Sequence, residues 1–125
     1  MTSEISSPYA VLVVEDDPLL RMHAVDIVED AGFTAIEAKD ADEAIAILEK
    51  RSDITLLFTD IQMPGSMDGL KLAQAVRDRW PPVKIVVVSG QTALTQNDLP
   101  TNSRFFSKPF HGEQMIKDLQ ALVQS

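Results

Sequence analysis

The amino-acid sequence predicts one α/β domain, a parallel five-stranded sheet covered by helices on both faces. Three observations predict it. Apolar runs of strand length alternate with helical stripes five times along the 125 residues, and short connections between such units require parallel strands with right-handed crossovers. Three of the runs, Tyr9–Glu15, Leu56–Asp60 with Ile54 before it, and Lys84–Ser89, are continuous rather than alternating, the pattern of strands buried on both sides. Strand after strand ends in polar groups, which a parallel sheet gathers at its carboxyl edge, where such folds bind ligands.

Size and composition are those of an ordinary globular unit. A chain of 125 residues hides about two thirds of its unfolded surface on folding and can fold unaided. Hydrophobic residues at 45% and charged residues at 24% leave disorder to the start of the chain, so residues 1–8 are expected to be a flexible tail and residues 9–125 the domain. A net charge of −8 disfavours a direct nucleic-acid partner, whose phosphates call for clustered Lys and Arg. Cysteine is absent, which excludes disulfides, thiolate zinc sites and thiol nucleophiles. No apolar run approaches the roughly 18 residues of a membrane span, so no membrane insertion is expected. The start, MTSEISSP, has neither a basic stretch nor an apolar core, and the cytoplasm is the expected location.

After the first run, Asp17 is placed to cap a helix and Pro18 to open it, where a missing N–H costs nothing. A stripe of Leu20, Ala24, Ile27, Val28 and Ala31 carries this helix to about Ala31, and Gly32 ends it. His23 lies beside the stripe, and a lone helical histidine reads as a half-buried surface residue. Phe33–Ala38 alternates, as suits an edge strand. Asp40 and Glu43 have the spacing of a capping box, and Ala44, Ile47 and Leu48 face inward on the helix that ends at Arg51. The run into Asp60 then breaks at Pro64 and Gly65. A long loop leads to a helix from Leu70, with Leu72, Val76 and Trp80 every fourth residue, stopped by Pro81 and Pro82. Residues 91–100 lack a convincing stripe, and at most a short helix is expected before Pro100. Arg104–Ser107 is a brief strand at the other edge, leading into Lys108, Pro109 and Phe110. The last helix, residues 112–124, turns Met115, Ile116, Leu119, Leu122 and Val123 to one face.

The strand ends deliver Glu15 and Asp16, Asp60, Ser89 and Lys108 to one edge. Carboxylates gathered this way repel, so a positive group belongs among them. One or two carboxylates, a main-chain carbonyl and waters suit Mg²⁺, and nothing here supplies the nitrogen or sulfur that zinc prefers. Lys108 is a point charge suited to a phosphoryl oxygen, while Ser89 and the Gly90 N–H can donate to another. Asp60 is then a nucleophile able to form an acyl phosphate. Singly, each residue has a plainer reading: Asp60 as a turn residue, Lys108 as its ion-pair partner, the other acids as helix caps.

VLVVEDDP, LLFTDIQMPG, IVVVSG and FFSKPF, in this order and over nearly the whole chain, resemble the receiver domain of two-component response regulators, in its single-domain chemotaxis-regulator form. The resemblance implies a single doubly wound, flavodoxin-like sheet of strand order 2-1-3-4-5. It implies Mg²⁺ held by Glu15, Asp16, Asp60 and the main-chain carbonyl of Gln62, with Glu15 acting through water. Asp60 becomes the acceptor of phosphate from a histidine kinase or histidine phosphotransfer protein, Ser89 the switch hydroxyl and Lys108 the balancing cation, with Gly90 touching the phosphoryl group. It further implies a cis Lys108–Pro109 bond, a switch aromatic at Phe105, and a downstream protein docking on the last strand and last two helices. Departures are visible too. The stretch from Ser89 to Lys108 is short for the family, so the fourth helix is expected to be short or irregular, and the GSMDG loop is one residue longer than the commoner PGMDG. Gln62 and Gln91 stand at positions that tune dephosphorylation.

Two other functions share this chemistry. A small Mg²⁺-dependent aspartyl-phosphate phosphatase usually carries an acid two residues beyond its nucleophile, where this chain has Gln62. A pseudo-receiver would bind partners unphosphorylated, which the acidic pair, Ser89 and Lys108 argue against. The expectation is a stand-alone receiver that catalyses only its own phosphorylation and dephosphorylation, with Mg²⁺ registering in Trp80 fluorescence and in amide signals near Asp60.

Overall fold

The computed structural model describes residues 9–62, 68–90, 99–100, 103–108 and 112–124. Among these, five strands and four helices alternate: β1 (Ala10–Val14), α1 (Pro18–Asp30), β2 (Thr34–Ala38), α2 (Ala41–Lys50), β3 (Ile54–Asp60), α3 (Gly69–Arg79), β4 (Lys84–Ser89), β5 (Ser103–Ser107) and α4 (Gly112–Gln124). All pairings are parallel and the order is β2-β1-β3-β4-β5, so the two strands read as edges lie at the edges. The expected tail at residues 1–8, the short helix expected within residues 91–98, most of the GSMDG loop and Pro109 lie outside the described residues.

Strand alternation sorts the core into two halves. Leu12, Val14, Leu57, Ile85 and Val87 pack on one face against α2 and α3, through Ala44, Leu48, Leu72 and Val76. Val11, Val13, Phe58, Val86 and Val88 pack on the other against α1 and α4, through Ile27, Val28, Met115 and Leu119. The three central strands are buried on both sides, which is why their sequences run continuously apolar.

Local capping fixes where α1, α2 and α3 begin. Asp17 accepts from the N–H groups of Leu19 and Leu20, with Pro18 in the first turn. Asp40 accepts from Glu43 N–H at 2.8 Å, and the Glu43 carboxylate reaches back to Lys39 N–H at 2.9 Å, one residue beyond the usual box. Asp68 accepts from Lys71 N–H at 2.9 Å, so α3 starts at Gly69 rather than Leu70. Gly32, at φ 94°, closes α1 in the left-handed region that glycine enters without strain.

Three expectations need correcting. Leu20 is 45% exposed instead of buried in the α1 stripe, because its turn faces the mouth of a cavity at the strand ends and not the sheet. His23, on the same rim, is exposed rather than half-buried. Trp80 caps the C-terminal end of α3 and sits with Ile54, Leu48 and Val83 at the amino edge of the sheet, opposite Asp60. It is too far from the acidic end to report on a cation there.

Leu57, fully buried at the centre of β3, is the natural probe of this core. Leu57→Ala is expected to cost about 2–5 kcal/mol in urea unfolding, the transfer and cavity cost of a core leucine; a loss below about 1 kcal/mol would contradict the packing described.

Candidate functional site

The ladder of the sheet runs one residue past its strands, and that extension builds the site. Glu15 N–H donates to Ala38 O at 3.1 Å, Ile61 N–H to Val88 O at 3.0 Å and Lys108 N–H to Ser89 O at 2.8 Å. Each bond carries a chain end across to its neighbour. Glu15, Asp60, Ser89 and Lys108 therefore share the carboxyl edge because the parallel register puts them there.

At that edge Lys108 Nζ lies 2.9 Å from Asp60 Oδ2 and 3.5 Å from Glu15 Oε1. Asp60 Oδ1 accepts from Gln62 N–H at 3.3 Å, and Glu15 Oε2 from Asp17 N–H at 3.1 Å. Glu15 and Asp60 are only 5% and 6% exposed, and Ser89 is buried beside them. Asp16 faces solvent. Carboxylate oxygens of Glu15, Asp16 and Asp60 all lie within 4.8 Å of one another. Three acids against one lysine leave the cluster negative. Such an all-oxygen donor set with one solvent-facing member fits a hard divalent cation that keeps part of its water shell.

Ionisation follows from the same crowding. Burial pushes the Glu15 carboxyl up to about 7; the Asp17 N–H works against this, and the neighbouring Asp60 adds to it. Burial pulls the Lys108 ammonium down, but its hydrogen bond to Asp60 and the charges of Asp60 and Glu15 outweigh that and leave it raised. Lys108 is thus a permanent cation, while the charge of Glu15 depends on what sits beside it.

A cavity of about 240 Å³ opens beneath the cluster, floored by Phe58 and Val88 and rimmed by Leu20, His23 and Ala24 of α1. Leu19 and Met22 are exposed on the same helix. Phe105 is not brought to the cluster: it pairs with Val87 and lies half-buried on the α2 and α3 face. Gly90 and Gln62 are exposed at the edge of the site.

Two residues escaped the sequence reading. A Cβ on Gly69 would run into the main-chain carbonyl of Asp60, and Gly69 N–H donates to Ile61 O at 2.8 Å. Only glycine lets α3 start against the end of β3. Arg21 donates from its guanidinium to the Glu15 carbonyl at 3.0 Å. Close backbone approach leaves no local signal, and one arginine on an exposed first turn reads as a solvated charge.

Known proteins resemble this chain over most of its length. The family model of the response regulator receiver domain matches residues 11–120. The response regulator receiver protein CpdR of Brucella abortus (strain 2308) is 31% identical over 116 residues, which cover 90% of this chain and 95% of that protein. The sensor kinase CckA of the same organism is 31% identical over 127 residues, covering 98% of this chain, but the chain spans only 13% of the kinase. A crystal structure of a response regulator receiver protein from Sinorhizobium medicae WSM419 matches with a TM-score of 0.85 at 27% identity, covering 94% of this chain and 95% of that one.

Two outcomes follow from the geometry. An unfolded Glu15 ionises near 4.5 and the folded one near 7, so without metal the folded state holds more protons between those values. Stability is then expected to fall as pH rises from about 4.5 to 7, and Glu15→Gln to flatten the fall; urea melts in chelator across that range give the slope, and an identical slope in both proteins would refute the burial cost. Gly69→Ala is expected to destabilise by about 1–3 kcal/mol or more through overpacking, with amide shifts centred on Asp60 and Ile61.

Proposed function

Since the chain belongs to the response regulator receiver domain family, we propose that it acts in two-component signalling as a phosphoacceptor, with Asp60 taking a phosphoryl group from a phosphohistidine of a histidine kinase or phosphotransfer protein. The Asp60 oxygen bonds to phosphorus as the bond from phosphorus to the donor's imidazole nitrogen breaks, and the imidazole keeps the electron pair. The observation that carries this reading is the convergence at one edge of Lys108, 2.9 Å from Asp60 Oδ2, with three acids whose oxygens lie within 4.8 Å of one another.

Glu15, Asp16, Asp60 and the Gln62 carbonyl would hold Mg²⁺, which when bound neutralises charge on the phosphoryl oxygens. Lys108 can pass from the Asp60 carboxylate to a phosphoryl oxygen without leaving its place. The Ser89 hydroxyl and the Gly90 N–H donate to the remaining oxygens. Gln62 stands where a phosphatase needs a carboxylate, and an amide cannot take or give the proton. The chain accordingly handles only its own phosphoryl group.

A phosphoryl group brings up to about two negative charges, enough to draw Ser89 toward it and bias a two-state equilibrium. We assign the readout, through Phe105, to a downstream protein on β5, α4 and the residues before Pro100. The exposed Leu19, Leu20 and Met22 beside the cavity give the phosphodonor protein an apolar surface to rest on. Among the described residues no helix is long and apolar enough to cross a membrane. The cytoplasm, where kinases draw on ATP, is the assigned location.

Acetyl phosphate with Mg²⁺ is expected to add one phosphoryl group by intact mass, to leave Asp60→Asn unmodified, and to react on the order of 10²-fold more slowly with Lys108→Ala. An adduct that survives Asp60→Asn would sink the assignment. Amide signals near Asp60, and not Trp80 fluorescence, are the readout for Mg²⁺.

A further inference from the structure

We propose that Arg21 is a positioning residue for the metal-binding end of the site, and that Glu37 on β2 is its anchor. The proposal rests on the Mg²⁺ reading given above and names a residue outside the ligand set.

Arg21 lies in the first turns of α1, and its side chain, 22% exposed, reaches two other elements at once. Nη1 donates to the main-chain carbonyl of Glu15 at 3.0 Å, and Nε donates to Glu37 Oε1 at 3.0 Å. The Glu15 carbonyl belongs to the peptide unit that joins the two acids of the β1–α1 connection. Fixing that oxygen fixes the plane of the unit, and with it the direction in which Asp16 leaves the buried strand. Asp16 itself is exposed and at the end of the sheet. Its neighbours are tied on either side, by Glu15 N–H to Ala38 and by Asp17 N–H to the Glu15 carboxylate. The hydrogen bond from Arg21 sets the remaining freedom of this turn.

The geometry needs an arginine. A planar guanidinium can aim two donors in fixed directions, at a carbonyl on one element and a carboxylate on another, where a lysine ammonium serves as a single point. An ordinary exposed ion pair would contribute little and would leave the acids untouched. Here the pair ends on the main chain of a ligand residue, and supports of that kind matter for metal affinity.

Charge and position make opposite predictions, which makes the inference testable. Arg21 is a cation near a cation site, so by charge alone its removal would tighten Mg²⁺ binding. As a positioning residue its removal loosens it. Mg²⁺ titrations followed by amide shifts are expected to give a dissociation constant about tenfold weaker for Arg21→Ala than for the unaltered protein. Arg21→Lys, which keeps the charge and loses the fork, should be weakened similarly. Glu37→Ala should weaken binding in the same direction, and the double variant should be no worse than Arg21→Ala, as expected of two residues acting through one contact. In metal-free protein, hydrogen exchange at Asp17, whose N–H is bonded to the Glu15 carboxylate, should quicken in the Arg21 variants. With acetyl phosphate, the Mg²⁺ needed for half-maximal rate should rise while the rate at saturating Mg²⁺ holds.

Equal or tighter Mg²⁺ binding by Arg21→Ala, or full affinity in Arg21→Lys, overturns the proposal. So does unchanged exchange at Asp17. If Arg21→Ala fails to fold, Arg21→Lys, which keeps the charge, carries the same comparison. If the unaltered protein gives no response to Mg²⁺, the metal reading falls instead, and the exchange measurement alone decides whether Arg21 orders the turn.

Discussion

The Lys108 ammonium between Glu15 and Asp60 is the contact on which the rest of the site depends. Two carboxylates that are almost wholly out of water, within hydrogen-bonding reach of the same group, could not both carry charge without it. The lysine settles only part of the imbalance. Asp16 adds a third negative group on the solvent side, and Glu15 is pushed toward its neutral form. A cluster left short of positive charge, with one member open to water, is primed for an incoming cation.

That contact is in turn a product of sheet register. Lys108 meets the acids because β5 continues its pairing with β4 through the Ser89 carbonyl, while Glu15 continues the ladder of β1 with β2. The functional groups are held at the rim of a layer whose two faces are separately packed, so their spacing is set by strand spacing. Loops supply the rest: the peptide N–H of Gln62 on Asp60, and the turn of Glu15 to Asp17 that Arg21 and Glu37 brace from the side.

What could be read from the chain was whatever leaves a local pattern. Continuous apolar runs gave the three inner strands, alternation gave the β2 edge, and Asp17 and Asp40 announced their helices through short-range hydrogen bonds. The gathering of Glu15, Asp60, Ser89 and Lys108 was legible for the same reason, since in a parallel sheet the residue after each strand has only one edge to occupy. Elsewhere the deciding contact was long-range. Leu20 fits the α1 stripe by spacing, yet its turn overhangs a cavity. Trp80 keeps a fourfold spacing with Val76 and still ends far from Asp60, because periodicity assigns a face and says nothing of distance along the strand direction. Gly69 looked like a loop glycine, and its contact with Asp60 is formed only when α3 folds back on β3.

The hydrogen bond from Gly69 to Ile61 ties off the connection between β3 and α3 at its neck. Once the two ends are clasped, the number of residues in between no longer alters where they meet. Adding one residue to a closed loop of this size costs only about 0.1 kcal/mol in closure entropy. The stretch before Asp68 can therefore gain or lose a residue while Asp60 stays in register with its lysine, provided that Asp68 still caps α3 and position 69 remains glycine. Such a clasp lets a lineage experiment with the rim of a site without retuning its centre.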